Sequence, residues 1–110
     1  MKIDIKPLSI NAAFKGRRYK TDKYNKYERD VLLQLKPMDI PDGKLEISIM
    51  AGFSYKGADL DNVAKLFIDI LQKKYGFNDS RIYALTMLKR IVPKGQEFIS
   101  FSIFECLKDG

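Results

Sequence analysis

Asp59 and Asp61 stand two residues apart in the run Asp59-Leu60-Asp61-Asn62-Val63-Ala64-Lys65, and Asp69 and Asp79 follow downstream. Carboxylate oxygens are the ligands that hard divalent cations such as Mg²⁺ prefer. In extended backbone, positions i and i+2 point the same way, about 7 Å apart at their Cα atoms by strand rise. So placed, Asp59 and Asp61 can share one cation or hold two neighbouring ones. Two negative charges this close repel unless a cation pairs with them. Yet the chain that concentrates them is basic, with 20 Lys and Arg against 14 Asp and Glu and a net charge of +6. An acidic metal site on a basic protein points to chemistry on phosphodiesters, because the excess positive charge suits a polyanionic partner.

Composition narrows the chemistry further. The chain has no histidine, so the usual general base and the commonest metal ligand are both missing. Serine-histidine and cysteine-histidine nucleophilic schemes are excluded. The single cysteine, Cys106, allows neither an internal disulfide nor a cysteine-based zinc site within one chain. An enzyme built from this sequence must work with carboxylates, lysine and metal. At 110 residues it is expected to form one domain over residues 1–110. No apolar run approaches the length that spans a membrane, and Met1 to Ile5 alternates rather than forming a secretory signal core. A cytoplasmic protein with no membrane partner is the expectation.

The elements that must position these residues can be read from periodicity. Residues 2–6 alternate, with Ile3 and Ile5 on one face, and predict a short strand. A basic loop follows, from Phe14 to about Lys20. Thr21 or Asp22 can cap a helix running to about Leu35, with Tyr24, Tyr27, Val31 and Leu35 on one stripe and Leu32 beside it. Lys36-Pro37 stops it. Leu45, Ile47 and Ile49 alternate with polar residues and predict a half-buried strand. A second helix is expected from Asn62 to Lys74, with Val63, Leu66, Phe67, Ile70 and Leu71 on its apolar face, ended by Tyr75-Gly76. The β-forming stretch from Arg81 to Val92 and the alternating Phe98 to Phe104 predict two more strands. Their short connection predicts an antiparallel hairpin. The expected class is α+β, one small domain in the order β-α-β-α-β-β, with two helices and a mixed or antiparallel sheet.

On the second helix, Asp61, Lys65 and Asp69 fall at i, i+4 and i+8 and form a polar stripe opposite the apolar face. Lys65 between two carboxylates can stay charged and reach a phosphate oxygen, where it would offset charge in the transition state. Asp79 precedes the next strand and can return beside the head of the helix, which would complete a three-carboxylate site. Plainer readings stand next to these. Asp61 or Asn62 can serve as the helix cap, Asp69 can pair with Lys65 across one turn, and Asp79 can start a turn.

Residues 15–27 carry Lys15, Arg17, Arg18, Lys20, Lys23 and Lys26 against the one acid Asp22, with Phe14, Tyr19, Tyr24 and Tyr27 interleaved. Lysine and arginine can neutralise phosphates, and aromatic rings can stack on exposed bases. Tyr24 and Tyr27 read better as core or interface residues of the first helix than as base platforms.

The run Asp59-x-Asp61-Asn62-x-x-Lys65-x-x-x-Asp69, followed by Asn78-Asp79 before a strand, resembles the RusA family of Holliday-junction resolvases. Pro7-x-Ser9-x-Asn11 and Arg17-Arg18-Tyr19 are similar to that family's opening, and the resemblance covers nearly the whole chain. It implies a small dimeric Mg²⁺-dependent endodeoxyribonuclease of DNA recombination and repair, of a kind common in bacteriophages and prophages. Such an enzyme resolves four-way junctions by paired symmetric nicks, with Mn²⁺ as a substitute metal. The resemblance makes Asp59, Asp61 and Asp79 the catalytic metal-binding aspartates and Lys65 the catalytic lysine. Asp69 and Asn78 stand as supporting residues, and Lys15, Arg17, Arg18, Lys20 and Lys23 as the DNA-binding set. Family members often carry two adjacent aspartates where this chain has Asn78-Asp79. Asn78 offers a carbonyl oxygen but no charge. With no histidine, a metal-activated water is the expected nucleophile. Two nicks in one particle require two active sites, which a two-fold dimer provides. The tyrosine-rich first helix and the apolar strand faces are the surfaces on offer for it. Two alternatives belong to other classes: a non-cleaving basic DNA-binding module on the same fold, which Asn78 favours, and an unrelated small basic α+β protein whose acids are caps and salt bridges.

Overall fold

The structure is a computed structural model in which residues 1–9, 14–15 and 19–107 are described, with backbone only at 14, 15, 19 and 20. Its elements are β1 (Lys2–Asp4), β2 (Phe14–Lys15), β3 (Tyr19–Lys20), α1 (Asp22–Gln34), β4 (Leu45–Phe53), α2 (Leu60–Tyr75), a single 3₁₀ turn (Asp79–Arg81), β5 (Ile82–Ile91) and β6 (Phe98–Glu105). The α+β class and the β-α-β-α-β-β order hold. In the stretch read as a loop, the short strands β2 and β3 pair antiparallel, Phe14 with Lys20 and Lys15 with Tyr19.

β4 organises the main sheet. Its alternation runs past Ile49 through Ala51 to Phe53, and Leu45, Ile47, Ile49, Ala51 and Phe53 are all buried. β6 lies antiparallel along one side of β4 and β5 parallel along the other, while β1 pairs antiparallel with the far side of β6. The strand order is β1-β6-β4-β5. This corrects the expected hairpin. β5 and β6 do run in opposite directions, but β4 sits between them. A six-residue connection can span about 20 Å, whereas two strand spacings are only about 10 Å. A short link therefore does not force the strands it joins to be neighbours.

Both helices pack on one face of this sheet. Tyr24, Tyr27, Val31 and Leu35 of the first helical stripe are buried, as are Val63, Leu66, Phe67, Ile70 and Leu71 of the second. They form one core with Ile47, Ile49, Ile99, Phe101 and Ile103 of the sheet. Phe67 meets Phe101 edge to face, with ring centroids 5.4 Å apart. Tyr24 and Tyr27 are thus core residues, and α1 does not offer them to a second subunit. The phenol of Tyr24 donates to Glu28 Oε2 at 2.6 Å. Burial first, and Glu28 second, push its pKa up to about 12. Lys73 of α2 reaches the same Glu28 oxygen at 2.7 Å and ties the helices together at a half-exposed position. The opposite sheet face carries Glu46, Ser48 and Met50 with Ser100, Ser102, Phe104 and Leu88. Neither α1 nor α2 lies over it, and Leu88 and Phe104 are exposed.

Thr21 caps α1, its hydroxyl accepting from the Tyr24 N–H at 3.3 Å. Gly76 closes α2 in the left-handed conformation, with φ 72° and its N–H on the Gln72 carbonyl. An L side chain there meets its own carbonyl. Gly76→Ala is therefore expected to destabilise the fold by about 1 kcal/mol, read as a lower urea midpoint at unchanged slope.

Candidate active site

α2 begins two residues earlier than its periodicity predicts, and Asp59 is its cap. Asp59 has extended φ and ψ of −100° and 111°. Its Oδ1 accepts from the Asp61 N–H and its Oδ2 from Asn62 Nδ2, both at 3.1 Å. The capping role expected of Asp61 or Asn62 thus belongs to Asp59. Asp61 is the second helical residue, not part of an extended pair. Its carboxylate is exposed beside the positive end of the helix dipole, which favours an anion there.

Asp61, Lys65 and Asp69 are exposed along one edge of α2, as their spacing predicts. The 3₁₀ turn brings Asp79 to the same edge. One cavity of about 540 Å³ is lined by Asp61, Ala64, Lys65, Ile68, Asp69, Asp79, Ile82, Leu85 and Met87. Its polar wall holds three carboxylates against one ammonium, and its other wall is the apolar inner face of β5. Charges beside such a wall are less screened than in open water. Asp59 and Asn78 do not line it.

Two devices hold Asp79 there. Its N–H donates to Gln72 Oε1 at 2.9 Å, and Gln72 Nε2 lies 3.4 Å from Asp69 Oδ1. Gln72 therefore bridges the helix edge to the turn. Sequence reasoning missed it, although it follows Lys65 by seven residues and so lies on the same stripe. Arg81, two residues after Asp79, donates to the carbonyls of Gly43 and Pro41 and anchors the turn to the approach of β4. Asn78 Oδ1 accepts from the Ser80 N–H at 2.8 Å and caps the 3₁₀ turn.

The donors suit a hard divalent cation, since all are carboxylate oxygens and the cavity's formal charge is negative. Among the described residues, no three acidic, histidine or cysteine side chains converge closely enough to hold a metal ion. Asp61 and Asp79 share the cavity, and Asp59 stands outside its lining, at the cap of α2 two residues before Asp61.

Of the DNA-binding set, Arg17 and Arg18 lie outside the described residues, and Lys15 and Lys20 are described only as backbone of the β2–β3 ladder. Lys23 is exposed on α1. With Lys6 and Lys26 it lines a second cavity of about 520 Å³ beside β1. No described helix is long and apolar enough to cross a membrane.

No curated protein matches the chain. The family model described as endodeoxyribonuclease RusA matches residues 8–97, a span that contains both helices, the acidic cavity and the turn bearing Asp79. Members of that family are metal-dependent nucleases that resolve Holliday junctions in DNA recombination. The match takes in most of the sequence, and the chain belongs to the RusA family of Holliday-junction-resolving endodeoxyribonucleases.

Proposed function

We propose that this resolvase cuts at the α2 cavity, with Asp59, Asp61 and Asp79 holding Mg²⁺ or, in its place, Mn²⁺, and Lys65 serving the scissile phosphate. The observation that carries this reading is the single cavity lined by Asp61, Lys65, Asp69 and Asp79, four residues drawn from two separate elements. When bound, the cation would polarise the phosphodiester and lower the pKa of the attacking water. The chain's own residues do the rest. Lys65 offsets negative charge that grows on the phosphate oxygens. Asp69, linked to Gln72, keeps the helix edge anionic and in register with the turn. Leu85 and Met87 limit water on the β5 side. No covalent enzyme intermediate is needed.

The cut is one of a symmetric pair, made by a homodimer with one cavity for each strand. The sheet face turned away from α1 and α2, where Met50, Leu88 and Phe104 lie among Glu46, Ser48, Ser100 and Ser102, is the surface assigned to pairing. A mass measurement across a dilution series is expected to give two chains per particle. A strict monomer on the junction would refute this part.

Lys15, Arg17, Arg18, Lys20 and Lys23 bind the backbone of branched DNA. Affinity for a four-way junction should then fall steeply with salt, by about a thousandfold between 50 and 200 mM if six phosphates are contacted. A flat salt dependence would show that this basic set is not the footprint. The test of the proposal as a whole is cleavage of a labelled synthetic four-way junction with and without Mg²⁺.

A further inference from the structure

Lys89 lies on β5, opposite Ala51 of β4, on the sheet face that carries the helices. Its ammonium donates to two main-chain carbonyls more than thirty residues away in sequence, those of Lys56 and, at 3.0 Å, Ala58. These carbonyls belong to the segment between β4 and α2. The rest of the segment is held at its two ends: Tyr55 meets Phe53 edge to face at 5.9 Å, Ser54 bonds Glu97 and Ala58 packs at the edge of the core, while Lys56 and Gly57 between them are exposed and a Cβ added at Gly57 would meet nothing within 4 Å. Ala58 is the residue before Asp59, so fixing its carbonyl fixes the peptide plane that leads into the cap. Hydrogen bonds from an ammonium are about twice as strong as neutral ones, and two from one donor group clamp a short segment.

We propose that Lys89 is a positioning residue for the acidic motif, holding the loop at Lys56–Ala58 so that Asp59 is presented at the head of α2 next to Asp61. The inference rests on the reading of the α2 cavity as the cleavage site. Lys89 acts through the loop, in the way that outer groups orient metal ligands, whose loss typically costs about 10–100-fold in metal affinity or activity.

The test compares Lys89→Met, which keeps length and removes the charge, with Lys89→Arg, whose guanidinium can still donate to both carbonyls. In metal-free protein, Lys89→Met is expected to speed amide hydrogen exchange at Asp61 and Val63, whose N–H groups donate to the Asp59 carboxylate and carbonyl, with the urea midpoint little changed. In the junction assay it should raise the Mg²⁺ concentration for half-maximal cleavage about tenfold or more, without altering junction affinity measured in the absence of metal. Lys89→Arg should restore most of both. Unchanged exchange and an unchanged Mg²⁺ requirement would overturn the inference. So would a loss of junction affinity alone, which would make Lys89 a DNA contact. If instead Asp61→Asn cleaves normally, the cavity reading fails, and the exchange experiment still decides whether Lys89 orders the loop.

Discussion

Asp61→Asn and Asp79→Asn are each expected to lower the rate of junction cleavage about a thousandfold or more, while junction binding without metal stays near the parent's. The argument is one of charge. Asparagine keeps the size and one carbonyl oxygen of aspartate but brings no negative charge to a cation. Transition-state stabilisation by such a cation is worth several kcal/mol, and about 4 kcal/mol corresponds to three powers of ten in rate. Neither carboxylate contributes much to the fold: both are exposed, Asp61 adds only about 0.3–1 kcal/mol from its place at the head of the helix, and the N–H of Asp79, not its side chain, makes the bond to Gln72. Stability should therefore be nearly unchanged. Asp59 gives the sharper version of the same experiment, because it has a visible structural duty. Asparagine caps helices as well as aspartate does. Asp59→Asn thus preserves the cap to the Asp61 N–H and removes the charge together with the exposed bond from Asn62 Nδ2, whereas Asp59→Ala removes the cap too and should cost about 1 kcal/mol of stability. Cleavage lost equally in both variants, with stability lost only in the second, would separate a metal ligand from a cap. Rate measurements at saturating Mg²⁺ beside urea unfolding supply both readouts.

Lys65→Ala carries the second large effect, a fall of about 10²- to 10³-fold in single-turnover cleavage, the range seen when one preorganised donor to a developing oxyanion is removed. The Mg²⁺ requirement should not rise. Removing a positive charge from a cavity with three carboxylates favours cation binding, so half-saturation should move, if at all, to lower Mg²⁺. This sign distinguishes Lys65 from Lys89, whose loss is expected to raise the requirement. Lys65→Arg should recover part of the rate, since it restores the charge with a different reach. A Lys65→Ala enzyme that cuts at the parental rate would remove Lys65 from the mechanism.

Periodicity carried most of the fold. The stripes Tyr24-Tyr27-Val31 and Val63-Leu66-Phe67-Ile70-Leu71 have spacings that only a helix places on one face, and each proved buried. Strand order was not legible, because the segment between Ile91 and Phe98 is long enough either to turn back or to step over β4. The cap was ambiguous for a chemical reason: Asp59, Asp61 and Asn62 are all residues that cap well, and composition alone does not choose among them. The cavity was legible where it depended on one helix, through the i, i+4, i+8 spacing of Asp61, Lys65 and Asp69. Asp79 was legible as a returning carboxylate, but the parts that place it were not. Gln72 and Arg81 act through contacts that exist only once the turn has packed. Lys89 was beyond sequence reading, because its role follows from β5 lying next to β4. Asn78, whose missing charge favoured a non-cleaving module, occupies a capping position where asparagine and aspartate are equivalent.

The most direct test of the central claim is the cleavage of a labelled synthetic four-way junction by the parent protein and by Asp79→Asn, with and without Mg²⁺, beside a linear duplex of the same sequence. Paired symmetric nicks in the junction alone, only with metal, and absent from an Asp79→Asn protein that still binds the junction, are the predicted result. Cutting by Asp79→Asn at the parental rate would contradict the assignment of the α2 cavity as the active site.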